Sequence, residues 1–137
     1  MSKVLIAEDN PVNRELLREL LETRGYSVIE ASDGQEALMR IEESRPDLLL
    51  LDLDMPVLDG FATVCRIRED PSLATLPVLA VTAYAMHGDH ERVMASGFDG
   101  YLSKPIQSSV LFKELERFLG KHSNQQNPAA RHMQAGK

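Results

Sequence analysis

The sequence predicts an α/β protein: a five-stranded parallel sheet with helices on both faces. Two observations carry this. Short apolar runs alternate five times with helix-patterned segments, leaving no room for hairpins, and three of those runs are nearly continuous in apolar character, as strands covered on both sides are. The 137 residues are the size of one compact domain, with 43% hydrophobic and 26% charged residues.

The strands are read as KVLIA (Lys3 to Ala7), SVIEA (Ser27 to Ala31), DLLLLD (Asp47 to Asp52), PVLAVT (Pro77 to Thr82) and DGYLS (Asp99 to Ser103). The first helix is expected from Pro11 to Arg24, with Asn10 as N-cap and Gly25 as stop, and with Val12, Leu16, Leu17, Leu20 and Leu21 on one apolar face. DGQE at Asp33 to Glu36 has capping-box spacing before the second helix. A third helix runs from Gly60 or Phe61 to Glu69 and a fourth from about Gly88 to Ser96. A fifth runs from Ser108 to Leu119, with Leu111, Leu115, Phe118 and Leu119 as its buried face. Residues 1–120 are therefore one domain. Residues 121–137, KHSNQQNPAARHMQAGK, are polar and aperiodic and read as a disordered tail or linker.

A net charge of −6 without a basic run argues against binding nucleic acid or an anionic membrane. No apolar stretch approaches the ~20 residues that span a bilayer. The start MSKVLIAEDN leads straight into a strand, and the lone Cys65 suits a reducing compartment, so a cytoplasmic location is expected. Cys65 is expected to pack at helical spacing with Phe61 and Arg68. His87 and His90 read as surface residues, Asp59 as a residue stabilising the turn and the start of the third helix, and GFDG at Gly97 to Gly100 as a helix stop.

In an open parallel sheet, ligands bind beyond the carboxyl ends of the strands. Strand one ends in Glu8-Asp9, strand three in Asp52 and strand four in Thr82, and strand five leads to Lys104-Pro105. Each placement alone has an ordinary explanation as a cap, turn or surface residue, but all four fall on one sheet edge. Clustered carboxylates repel, so a proton or a cation must neutralise them. Oxygen donors without His or Cys suit Mg²⁺, and with a lysine and a hydroxyl the site can accept a phosphoryl group, an aspartate being the nucleophile.

These residues resemble the CheY-like receiver domain of two-component response regulators, through EDN at Glu8 to Asn10, LLDLDMPVLDG ending at Gly60, VTA at Val81 to Ala83 and YLSKP at Tyr101 to Pro105. The resemblance covers Lys3 to Leu119 and implies a flavodoxin-like fold with strand order 2-1-3-4-5. It implies that Asp52 is the phosphoacceptor. Glu8, Asp9, Asp52 and the backbone carbonyl of Asp54 would hold Mg²⁺, and Thr82 and Lys104 would contact the phosphoryl oxygens. Tyr101 would be the switch aromatic, and the side chains of Asp54 and Tyr84 would tune the phosphoryl lifetime. Ala83 would leave access to the site, Lys104–Pro105 would be a cis peptide, and Gly60 would allow a tight turn or close approach. The implied partners are a histidine kinase or histidine phosphotransfer protein, docked on the first helix, and a downstream protein met by the face of helix four, strand five and helix five. EDNPVNRELLRELLE and AVTAYAMHGD resemble phosphorelay and stand-alone receivers respectively. The alternative is a haloacid-dehalogenase-type phosphatase using Asp52 as nucleophile. It is disfavoured because the acidic pair lies upstream, Met55-Pro56 departs from that motif, and the chain is short for that fold.

Overall fold

The computed structural model describes residues 2–55, 57–83 and 87–120, with the side chains of 87–89 left aside. Strands β1 (Lys3–Ala7), β2 (Ser27–Ala31), β3 (Leu48–Asp52), β4 (Val78–Thr82) and β5 (Gly100–Ser103) alternate with helices α1 (Pro11–Thr23), α2 (Gly34–Ser44), α3 (Gly60–Glu69), α4 (His87–Ala95) and α5 (Ser108–Leu119). The sheet is parallel throughout and ordered β2-β1-β3-β4-β5. A 3₁₀ turn at Pro71–Leu73, which hydrophobic periodicity does not signal, follows α3 and is capped by Asp70.

Every residue of β3 and β4 is buried, as their unbroken apolar runs require of central strands. Alternate residues build two cores. Val4, Ile6, Leu48, Leu50, Leu79 and Val81 pack with Leu17, Leu21, Leu111 and Leu115 under α1 and α5. Leu5, Ala7, Leu49, Leu51, Val78 and Ala80 pack with Ala37, Ile41, Val64, Ile67 and Val93 under α2, α3 and α4. Each leucine buried this way contributes about 1.5–3 kcal/mol. The edge strand β2 is only half-buried along most of its length.

Two apolar faces differ from the sequence reading. On α1 only Leu17 and Leu21 are buried, with Leu20 partly so, while Val12 and Leu16 are 64% and 57% exposed. The five positions describe a wider stripe than one sheet face covers. Cys65 is also exposed rather than packed: α3 buries Thr63, Val64 and Ile67, and Cys65 lies on the solvent side, its Sγ 3.9 Å from Glu69 Oε2. On α5, Phe112 joins Leu111 and Leu115 in the core, and Phe118 and Leu119 pack at its margin.

Local chemistry sets the helix ends. Asn10 Oδ1 accepts from the N–H groups of Val12 and Asn13 at 2.9 and 3.1 Å, and Asp59 Oδ1 accepts from Ala62 N–H at 2.8 Å. After α1 and α5, Gly25 and Gly120 take positive φ. Gly60 instead allows close approach: a Cβ there would stand 2.7 Å from both the Asp52 carbonyl oxygen and Leu53 Cα. Behind the sheet's amino edge, Arg68 of α3 donates to the carbonyls of Leu73, Leu76 and Gly97 and to Asp99 Oδ2, which also accepts from Val78 N–H at 2.8 Å.

At the start of α2, Asp33 Oδ1 accepts from Glu36 N–H at 2.8 Å. Glu36 Oε1 reaches back to Ser32, accepting from its N–H and hydroxyl at 2.7 and 2.8 Å. The Ser32 backbone bond, with the hydroxyl and Arg40 beside it, holds the Glu36 carboxyl below its ordinary range. A lowered folded value means stability that is present above the unfolded carboxylate range and is lost as pH falls through the lowered one. Glu36→Ala is therefore expected to cost about 1 kcal/mol at neutral pH. Urea unfolding of the two proteins should converge once the pH lies well below that range.

Candidate functional site

The carboxyl edge of the sheet gathers the expected residues. Asp52 ends β3, where four buried leucines hold its backbone rigidly, and its side chain is 1% exposed. Oδ2 of Asp52 accepts from Lys104 Nζ at 2.9 Å and Oδ1 from the N–H of Asp54 at 3.0 Å. Glu8, one residue past β1, is also buried; its Oε1 lies 3.4 Å from Lys104 Nζ and its Oε2 accepts from Asn10 N–H at 3.0 Å. Asp9 is exposed beside it. Lys104 follows β5, its N–H donating to the Thr82 carbonyl at 2.8 Å, and the Lys104–Pro105 peptide is cis.

Glu8, Asp9 and Asp52 can each bring a carboxylate oxygen within 4.8 Å of the others. Three carboxylates face one ammonium, so two negative charges stand uncompensated when all ionise. Burial, reinforced by the charge of Asp52, holds the Glu8 carboxyl above its ordinary range, against the pull of Asn10 N–H and Lys104. Burial opposes the charge on Lys104, but its hydrogen bond to Asp52 and the charges of Asp52 and Glu8 outweigh it and hold its pKa above the usual lysine value. A cluster of oxygen donors alone, with excess negative charge, fits a hard divalent cation such as Mg²⁺.

Thr82 is buried at the end of β4, and Ala83 after it is exposed. Tyr101 pairs with Ala80 in register and lies on the same sheet face as Thr82, half-buried against the core under α4. Its ring sits 4.6 Å from that of His90, centroid to centroid, tilted by 39°. Tyr84 lies outside the described residues. Asp54 is exposed, and in the loop after it Val57 has φ of 69° and is 80% exposed. A β-branched residue in the left-handed region costs about 1–2 kcal/mol.

Two features of the site escaped the sequence reading. Arg14 Nη1 donates to the Glu8 carbonyl at 2.7 Å, and the one available signal was its place a single turn after the N-cap. A cleft of about 600 Å³ opens beside Lys104 and Glu8, lined by Leu16, Leu20, Ala83 and Ile106 among others, and the exposed apolar side of α1 forms one wall.

A parallel sheet of this order, with carboxylates and a lysine converging on its carboxyl edge, defines the receiver class of signalling domains. The sequence pattern of the response regulator receiver domain matches residues 4–116, and the chain belongs to that family. It is 41% identical over 117 residues to the polar-differentiation response regulator DivK of Brucella anthropi, covering 85% of this chain and 95% of the relative. Among solved structures, the receiver domain of the sensor histidine kinase PA1611 from Pseudomonas aeruginosa, described with a magnesium ion coordinated in its active-site cleft, superposes with a TM-score of 0.81 at 36% identity, over 88% of this chain and 98% of that one. The Vibrio cholerae chemotaxis protein CheY4 does so with a TM-score of 0.81 at 33% identity, over 86% and 98%. Family membership sets aside the phosphatase alternative: this is a receiver domain of two-component signalling rather than a conventional enzyme. No helix among the described residues is long and apolar enough to cross a membrane.

The raised Glu8 carboxyl has a consequence for stability. A group whose folded pKa exceeds its unfolded one contributes stability that is present below the unfolded carboxylate range and lost as pH rises through the raised value. Glu8→Gln removes that loss while leaving an oxygen for Asn10 N–H. The variant without added metal is expected to melt higher than the parent at neutral pH, the gain vanishing as the pH falls into the carboxylate range, as followed by circular dichroism.

Proposed function

We propose that the chain is a phosphoryl-accepting signalling protein that takes its phosphoryl group from a phosphohistidine onto Asp52. The single observation that carries this reading is Asp52 itself: a buried carboxylate at the end of the central strand, one oxygen held by Lys104 and the other by the Asp54 N–H, with Glu8 and Asp9 beside it. An oxygen of Asp52 attacks phosphorus in line, an O–P bond forms as the N–P bond breaks, and the histidine imidazole leaves. Lys104 faces the oxygens of the incoming group, and the Thr82 hydroxyl moves toward them once they arrive. Glu8, Asp9, Asp52 and the Asp54 carbonyl would hold Mg²⁺, which when bound neutralises negative charge on the phosphoryl oxygens.

The apolar cleft between α1 and the Lys104–Ile106 segment supports a docking role. Leu16 is exposed on its wall, and an amphipathic helix bearing the phosphohistidine, from a histidine kinase or phosphotransfer protein, would bury it beside Asp52. On the other flank, Tyr101 shares a sheet face with Thr82 and would follow it inward, changing the surface of α4, β5 and α5 that meets a downstream protein. Both partners are proteins, neither nucleic acid nor membrane is needed, and a cytoplasmic setting suits the exchange.

With Mg²⁺ and acetyl phosphate, the protein is expected to take up a single phosphoryl group per chain, released by hydroxylamine, and Asp52→Asn to take up none, as intact-protein mass spectrometry would show. Sustained turnover of p-nitrophenyl phosphate, or labelling of the Asp52→Asn variant, would overturn the reading. Asp54 is exposed two residues past Asp52, and its carboxylate is read as orienting attacking water, so Asp54→Ala should change the autodephosphorylation rate while leaving the unfolding midpoint nearly unmoved. Equal decay rates would remove Asp54 from the lifetime-tuning role.

A further inference from the structure

One arginine outside the acidic cluster holds the backbone from which two of its three carboxylates spring. Arg14, in the second turn of α1 and 20% exposed at its side chain, divides its guanidinium between two acceptors. Nη1 donates to the Glu8 carbonyl at 2.7 Å, and Nε donates to Glu30 Oε1 at 3.0 Å. Glu30 lies on β2, paired in register with Ile6, so its side chain shares the sheet face that α1 covers. Its other oxygen accepts from Arg18 Nη1 at 2.6 Å. The arrangement is a chain of contacts from the edge strand, through Glu30 and Arg14, to the peptide between Glu8 and Asp9.

That peptide is planar, so a bond to its oxygen fixes the orientation of the whole unit, Asp9 Cα included. Glu8 has further supports: its N–H donates to the Ala31 carbonyl at 3.0 Å and its Oε2 is held by Asn10 N–H. Asp9 has none through its side chain, which is exposed and makes no hydrogen bond among the described residues. Its aim rests on the backbone, which Arg14 holds at the Glu8–Asp9 peptide and the Glu8 carboxylate holds at the Asp9–Asn10 peptide.

We propose that Arg14 is a positioning residue for divalent-cation binding at the Glu8–Asp9–Asp52 cluster, held in place by Glu30. The inference rests on the reading of that cluster as a cation site. Its sign separates it from plain electrostatics. A guanidinium beside a cation site repels the ion, so removing it would tighten binding if charge were all that mattered. Removing the support of ligands that must converge weakens binding, as the loss of groups orienting metal ligands does. Lysine at this position keeps the charge but lacks the planar fork that meets a carbonyl and a carboxylate together.

The test is Mg²⁺ titration of the full chain, followed by amide chemical shifts at the ends of β1 and β3, for the parent, Arg14→Gln, Arg14→Lys and Arg18→Gln, with thermal unfolding alongside. Both Arg14 variants are expected to weaken Mg²⁺ by about tenfold. Arg18→Gln, which changes the charge equally and shares the Glu30 partner but not the Glu8 carbonyl, is expected to leave the affinity unchanged. The lysine variant decides the matter if the glutamine variant does not fold. Parent-like or tighter Mg²⁺ binding by Arg14→Lys overturns the proposal while the cation-site reading stands, as does an equal loss in Arg18→Gln. Absence of saturable Mg²⁺ binding by the parent overturns the cation-site reading instead.

Discussion

One ammonium group holds the working edge of this protein together. Lys104 Nζ lies 2.9 Å from Asp52 and 3.4 Å from Glu8, both buried carboxylates at the ends of different strands that would otherwise repel each other. A buried charge without a partner is among the costliest arrangements a fold can carry. The lysine makes the acidic cluster tolerable without a metal, yet leaves it short of cations. Both needs are met by placing Lys104 just beyond β5, with its backbone tied to the Thr82 carbonyl. The sheet order then matters chemically: it puts β1, β3 and β4 side by side in the buried centre, so that their ends deliver Glu8, Asp52 and Thr82 to one place.

The sheet was legible in the sequence because its central strands are apolar on both faces, and no other short element needs that. The residues at their carboxyl ends were legible for a related reason: parallel strands align their ends, so four polar punctuation marks become one site. Side-chain direction was harder to read. Helical spacing grouped Val12 and Leu16 with Leu17 and Leu21, but the sheet covers only the narrower stripe, leaving both exposed, Leu16 on the wall of the cleft. Cys65 was misplaced by the same reasoning, since the positions beside it, Val64 and Ile67, are those that reach the core.

Contacts from charged side chains to distant backbone left no periodic trace. Arg14 reaching Glu8, and Arg68 reaching Gly97, Leu73 and Leu76, depend on loops that bring separate segments together. The close packing of α2 on the loop before α3, where a Cβ on Gly34 would collide with Thr63 Oγ1 and the Leu58 carbonyl, is equally invisible before the chain folds. Gly60 was readable as a residue of close approach, though what it approaches, the backbone of Asp52 and Leu53, emerged only in three dimensions. The site is thus partly written in its motifs and partly in the supports behind them.

The Arg68–Asp99 junction lies at the opposite end of β4 and β5 from Lys104. There Asp99 bonds the first residue of β4 through both its backbone and its carboxylate, and Arg68 ties the same corner to α3 and to the turn before β5. Mechanically, the two strands resemble beams clamped at one end. A disturbance at Thr82 or Lys104 would meet little give at the clamped corner, and displacement would then fall on the carboxyl ends and on whatever rests on them. In this fold that load is the α4 side of the sheet, where the rings of Tyr101 and His90 meet.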